Sequence, residues 1–221
     1  DVGNAGEIAA SAVSLVGAQV ANSGRIIAEA GWIVLAAGND VLIGRDDGGR
    51  GYLLRVEGAA SSVFDQNATG VSNTGELAAG ADGTVRVGAG DLYGTAIFSN
   101  QAIRAREIAL AAGNGGDVAL AGAVEAEKLD VSFEGATPGE LRSAAAAGET
   151  TTVRADELRL AASGSGARIA VGEGLAFRSL GDAAQGPGKV TLQQSASLAS
   201  SRLAELDLGA SAGREIALVS T

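Results

Sequence analysis

Apolar residues in this chain come in short alternating runs, not in helical stripes. Val13-Ser14-Leu15, Val20-Ala21, Ile33-Val34-Leu35 and Val41-Leu42-Ile43 are set apart by Gly, Asn and Ser. Period-two alternation broken by turn formers predicts short β-strands. A helix would need apolar positions every third or fourth residue over a longer stretch, and each Gly inside one costs about 1 kcal/mol.

The runs repeat. Val2-Gly3-Asn4-Ala5-Gly6-Glu7-Ile8-Ala9-Ala10, Val20-Ala21-Asn22-Ser23-Gly24-Arg25-Ile26-Ile27-Ala28 and Val71-Ser72-Asn73-Thr74-Gly75-Glu76-Leu77-Ala78-Ala79 share one grammar, V-x-N-x-G. Self-similarity of this kind marks a solenoid. The predicted architecture is an all-β, right-handed parallel β-helix spanning 1–221 as a single domain. The first two copies start 18 residues apart, about one coil of a slim solenoid. The third starts 51 residues after the second, so a lateral loop or hairpin is predicted near 44–70. From Thr84 onward, apolar-x-apolar runs continue, among them Ile108-Ala109-Leu110, Leu158-Arg159-Leu160 and Ile216-Ala217-Leu218, most of them preceded by a Gly or a charged residue. A second lateral loop is predicted near 133–152, around Pro138 and Ala144-Ala145-Ala146-Ala147, with one helical turn at 139–146. Nine or ten coils advancing about 4.8 Å each predict a rod of about 45 Å.

Three local expectations follow. Asn and Gly in each repeat are predicted to turn the corner through positive φ. Asn4, Asn22 and Asn73 are predicted to stack as an amide ladder. Trp32, inside a strand run, is expected either to fill a coil or to pack outward against the lateral loop.

Composition narrows the picture. Apolar residues reach 46% but aromatics only 3%, with no Met, so small aliphatic side chains must fill a thin interior. The 34 Gly in 221 residues lack a G-x-y period, which excludes collagen. A net charge of −10, without a Lys/Arg cluster, argues against nucleic acid and anionic lipid as partners. No apolar run reaches the ~18 residues of a membrane span, so no membrane insertion is expected. The chain opens at Asp1 without a visible leader, and neither end shows a capping helix. Both ends read as cut from something longer, or as docking end to end on another copy.

With zero His and zero Cys, triads of Ser-His-Asp type, Cys-His hydrolysis and His/Cys zinc sites are excluded. Carboxylate chemistry remains. Asp46 and Asp47 beside Arg45 and Arg50 form the densest charged cluster, and paired carboxylates can cleave glycosides. The plainer reading of 45–50 is a solvated Gly-rich loop tip. Gly113-Asn114-Gly115-Gly116-Asp117-Val118 and Gly88-Ala89-Gly90-Asp91-Leu92 are similar to calcium-binding nonapeptides, but neither is tandem, and each reads better as a corner before a strand. No phosphate-binding glycine motif is present. No catalytic, cofactor-binding or metal-binding residue is assigned, and no cofactor is expected.

The phrase carried by Val20–Ile43, V-x-N-x-G-x-I-x-A followed by G-x-x-V-L-A-A-G-N-D-V-L-I, resembles the filamentous haemagglutinin family, the large surface exoproteins of two-partner secretion. Val71–Ala79, Val85–Ala89 and Asp91–Ile97 look like the same region after its hairpin. The resemblance covers roughly 1–125; the family's N-P-N-G-type secretion motifs are not present. It implies a β-helix exported through an outer-membrane two-partner secretion transporter. The expected protein is then non-enzymatic, secreted or on the bacterial cell surface. It would act as an adhesin binding a host or neighbouring cell surface or glycan, or as a structural subunit of a fibre. The alternative is a polysaccharide-cleaving β-helix enzyme, a lyase or glycosidase using carboxylates.

Overall fold

The computed structural model describes residues 1–45, 52–57, 65–91, 93–137, 139–165, 167–195, 202–203 and 215–220. Among them the chain is all-β, with no helix. It builds a series of stacked levels. Strands β1 (Val2–Asn4), β2 (Glu7–Ala9) and β3 (Ala12–Gly17) make the first, and β4 (Val20–Asn22), β5 (Arg25–Ile27) and β6 (Trp32–Ala37) the second. The hairpin of β7 (Asp40–Arg45) and β8 (Tyr52–Glu57) follows. The next levels are β9 (Asp65–Asn73) with β10 (Glu76–Ala89), β11 (Tyr93–Ser99) with β12 (Ile103–Ala112), and β13 (Asp117–Leu120) with β14 (Val124–Glu134). Then come β15 (Leu141–Ser143) with β16 (Thr151–Ser163), β17 (Ala170–Val171) with β18 (Leu175–Arg178) and β19 (Lys189–Gln194), and β20 (Arg202–Leu203) with β21 (Glu215–Ser220).

Outside the hairpin, each strand pairs in parallel with its counterpart one level away. The first sheet runs β1-β4-β9-β11-β13-β15-β17-β20. The second, of eleven strands, runs β2-β5-β10-β12-β14-β16-β19-β21, with β3, β6 and β18 attached. Strand β10 shows why one sheet covers two faces. Its first residues pair with β5 and its last with β6, and the register shifts around Gly80, which sits at φ +73. Eight described levels about 4.8 Å apart span about 34 Å, fewer than the expected nine or ten. The long bent strands β10, β12, β14 and β16 each absorb two apolar runs.

Alternation decides what lies inside. Ile33, Leu35, Val85, Val87, Ile108, Leu110, Leu129, Val131, Leu158 and Leu160 belong to one buried cluster that runs from Val13 to Leu192. Tyr93, Phe133 and Phe177 are its aromatic side chains; the rest is mostly Val, Leu, Ile and Ala. The amide ladder forms as expected. Asn4 Nδ2 donates to Asn22 Oδ1 and Asn22 Nδ2 to Asn73 Oδ1, both at 2.8 Å. Asn73 Nδ2 continues it to Ser99 Oγ at 3.0 Å. The expected reason for the neighbouring glycines is corrected. Gly24 and Gly75 do not adopt positive φ. A Cβ on Gly24 would lie 1.9 Å from the Gly6 carbonyl oxygen, and one on Gly75 would lie 1.8 Å from that of Gly24. Close stacking of backbone on backbone excludes a side chain there.

The first lateral element is an antiparallel hairpin that starts at Asp40, earlier than position 44, and pairs Asp40 with Glu57 through Arg45 with Tyr52. Its β8 strand comes within 8 Å (Cα–Cα) of β6 and β10. Val34 and Ala36 alternate with the core residues Ile33 and Leu35 and therefore point outward, yet both are fully buried and stand outside the core cluster. The hairpin folds back over this outer face. Trp32 shares that outward side and is half-buried, so it does not fill the interior. The second lateral loop, near 133–152, is corrected. Leu141–Ser143 is a ladder strand pairing with both β13 and β17, β16 begins at Thr151, and there is no helical turn at 139–146. Pro138 lies outside the described residues. The excursion shrinks to the turns on either side of β15.

Tyr93 ties the first sheet to the turn between β3 and β4: it is buried, and its hydroxyl donates to the Ala18 carbonyl. Burial raises its pKa above the ordinary value near 10. The neutral phenol is thus the form the fold favours, and its contribution is fully present below pH 10 and lost as pH rises through the raised value. Urea unfolding from pH 8 to 11.5 is expected to show stability falling above pH 10. In Tyr93→Phe that part of the fall is expected to vanish, with stability at neutral pH lower by about 1 kcal/mol.

Candidate functional site

Outward files of charge run up both halves of the second sheet. On the β5 side, Arg25, Glu76, Arg104, Glu125 and Arg154 alternate in sign. Their ion pairs measure 2.9, 3.3, 2.9 and 3.8 Å in that order. All are partly exposed, so each pair contributes little alone. Their effect is to favour the observed stacking, in which each inner charge meets an opposite charge on both neighbouring levels.

On the β6 side the pattern opens into a groove. One file stacks Thr84, Glu107, Lys128, Glu157, Lys189 and Glu215 in register. Two residues along each strand, a second file stacks Arg86, Ala109, Asp130, Arg159 and Thr191. All of these except Glu215 line a cavity of about 330 Å³ that spans β10, β12, β14, β16 and β19. Its floor includes Ala109, the one small side chain of the second file between Arg86 and Asp130. Four cationic side chains (Arg86, Lys128, Arg159, Lys189) and three carboxylates (Glu107, Asp130, Glu157) face the groove.

Some of these groups are held. Arg159 Nη1 pairs with Asp130 Oδ2, and its Nη2 donates to Gln193 Oε1 at 2.8 Å. Glu107 pairs with Arg106 at 3.0 Å. Others are not: the Nε of Arg86 and the Oδ1 of Asp130 are buried without a hydrogen-bond partner among the described residues. Buried polar atoms left unpaired are rare and costly. Here a donor and an acceptor of this kind flank the same small residue.

The sequence analysis did not single out this groove. Its signal was present as the charged or hydroxylated residue that opens successive strand runs: Thr84-Val85-Arg86-Val87, Glu107-Ile108-Ala109-Leu110, Lys128-Leu129-Asp130-Val131, Glu157-Leu158-Arg159-Leu160 and Lys189-Val190-Thr191-Leu192. The openings are separated by 21 to 32 residues, from differences of 23, 21, 29 and 32. A fixed period therefore does not find them.

The acids expected from the sequence fall elsewhere. Asp46, Asp47 and Arg50 lie outside the described residues, and Arg45 ends β7. The two calcium-like stretches stack on each other at one corner. Asp91 Oδ1 accepts from the Asn114 amide N–H at 2.8 Å, and Asn114 Oδ1 accepts from Thr137 N at 2.5 Å. Asp117 accepts from Glu140 N at 3.0 Å and pairs with Arg142 at 3.0 Å. These oxygens are committed to closing turns, which is what the corner reading requires. Among the described residues, no group of three or more acidic side chains is placed to hold a metal.

No family model, curated protein or solved structure matches the chain.

Proposed function

We propose that this chain is a right-handed parallel β-helix that serves as a non-enzymatic extracellular protein, an adhesin or the subunit of a surface fibre. The observation that carries the reading is the parallel stacking of successive levels along two sheets, with local register shifts such as that around Gly80. Asn22, Gly24, Asn73 and Gly75, the residues of the V-x-N-x-G resemblance, sit at one shared corner. The right hand follows from the strong rule for crossovers between parallel strands of one sheet. A rod of this kind displays a long regular outer face while its core needs only small side chains, and such a face suits contact with another surface. Export through an outer-membrane two-partner secretion transporter belongs to the same proposal and rests on the resemblance.

The test is retention on cells. Purified protein is expected to stay on washed bacterial or host cells and to leave the chain length of added polysaccharides unchanged. Loss of the protein in the wash would refute the adhesin reading. Sizing in dilute solution separates adhesin from fibre subunit, the latter giving particles that lengthen with concentration.

One observation favours a second reading, a polysaccharide-cleaving enzyme: carboxylates and Lys/Arg converge in the groove. It requires that cleavage be measurable and that Glu157→Gln or Asp130→Asn abolish it. Cleavage lost instead in Asp46→Ala with Asp47→Ala would place the chemistry on the 45–50 cluster.

A further inference from the structure

We infer that the groove over Ala109 binds a linear neutral saccharide lying along the stacking direction, about one hexose unit per level. This rests on the adhesin reading and names the ligand class for it.

Three observations converge. First, the groove is charged but nearly balanced. A polyanion entering it would meet Glu107, Asp130 and Glu157, and a polycation would meet four cationic side chains. A hydroxyl both donates and accepts, so a polyhydroxylated neutral chain satisfies both kinds of wall. Second, the notch at Ala109 has a donor on one side, Arg86 Nε, and an acceptor on the other, Asp130 Oδ1, each without a partner among the described residues. A vicinal pair of sugar hydroxyls complements that pair once the two side chains turn into the notch. Third, the lining repeats with each level, every about 4.8 Å, which is about the length of one hexose in an extended chain. Among the described residues no ion pair joins Glu107, Lys128, Glu157 and Lys189 to one another, and only Glu107 is held, by Arg106, so the other three are available to hydroxyls. At about 330 Å³ the cavity is at the small end of ligand sites. The hairpin strand β8 comes within 8 Å (Cα–Cα) of β10, the strand that carries Arg86.

The experiment is calorimetric titration of the intact protein with neutral linear hexasaccharides of glucose, galactose and N-acetylglucosamine, and with heparin and polygalacturonate as charged probes. At least one neutral hexasaccharide is expected to bind, with affinity changing less than about twofold on going to about 0.5 M NaCl, because no counterions are displaced. Ala109→Leu, which fills the notch from an outward position and leaves the core untouched, is expected to weaken binding at least about tenfold. Arg86→Gln is expected to do likewise, and Arg25→Gln on the other charge file to change nothing. A thermal melt confirms that each variant folds. Binding only by the charged probes with steep loss in salt, binding by no neutral probe, or an Ala109→Leu variant that binds like the parent would each overturn the inference. Retention on cells without hexasaccharide binding sinks the groove assignment and leaves the adhesin reading standing. Hexasaccharide binding without retention on cells does the reverse.

Discussion

Gly75→Ala is expected to destabilise the fold by about 3 kcal/mol or more, seen as a large drop in the urea midpoint with an unchanged slope. A single methyl group in a tight core is usually absorbed by neighbouring side chains. Here the added Cβ would sit 1.8 Å from the Gly24 carbonyl oxygen and 2.8 Å from its carbonyl carbon and amide nitrogen. Those are backbone atoms of the level below, and that level is fixed by its own pairing: Gly24 N donates to Asn4 O, and Gly24 O accepts from Glu76 N. Relief requires the two levels to part where the amide ladder holds them together. Gly6→Ala is the internal control. Nothing lies within 4 Å of a Cβ there, so the same chemical change in the same motif is expected to cost less than about 1 kcal/mol.

Asn22→Leu is expected to be the second severe change, at about 3 kcal/mol. Asn22 is buried and bonded on both sides. Leu has the branched heavy-atom skeleton of Asn but is bulkier, so overpacking supplies part of the loss. Hydrogen bonding supplies the rest. Removing the amide deprives Asn73 Oδ1 of its donor inside the stack, and an orphaned buried acceptor costs about 1–3 kcal/mol beyond the bonds lost. Asn4→Leu, at the partly exposed end of the ladder, is expected to cost about 1 kcal/mol, since water replaces the lost partner. The gradient from Asn4 to Asn22 in chemical denaturation checks that the ladder, not the side-chain type, carries the energy.

The parts of this fold that could be read from the sequence are those where a residue stacks on a copy of itself. Asn22 meets Asn73 and Gly24 meets Gly75, so the repeat in the sequence is the contact in space. The hairpin was legible as an interruption of that repeat, but its start was not. Asp40-Val41-Leu42-Ile43 alternates like any ladder strand, and only its antiparallel partner shows that it has left the stack. Leu141-Arg142-Ser143 failed in the opposite direction. Three residues between Pro138 and an Ala run give too little alternation to register as a strand, yet they pair on both sides. The groove was hidden for a further reason. Its charges align only after turns of unequal length are folded away, and turn lengths carry no periodic signal.

The central claim is that distant stretches lie directly on one another in register, and one measurement addresses it most directly. The chain has no Cys, so a pair can be introduced cleanly. Ala21 and Ser72 are register partners in adjacent parallel strands, within the separation a disulfide spans. Ala21→Cys/Ser72→Cys, mildly oxidised and mapped by mass spectrometry, is predicted to close an intramolecular disulfide in nearly all molecules, while Ala21→Cys/Thr191→Cys forms none. Equal cross-linking in both pairs, or none in the first, would contradict the stacked architecture and every functional reading built on it.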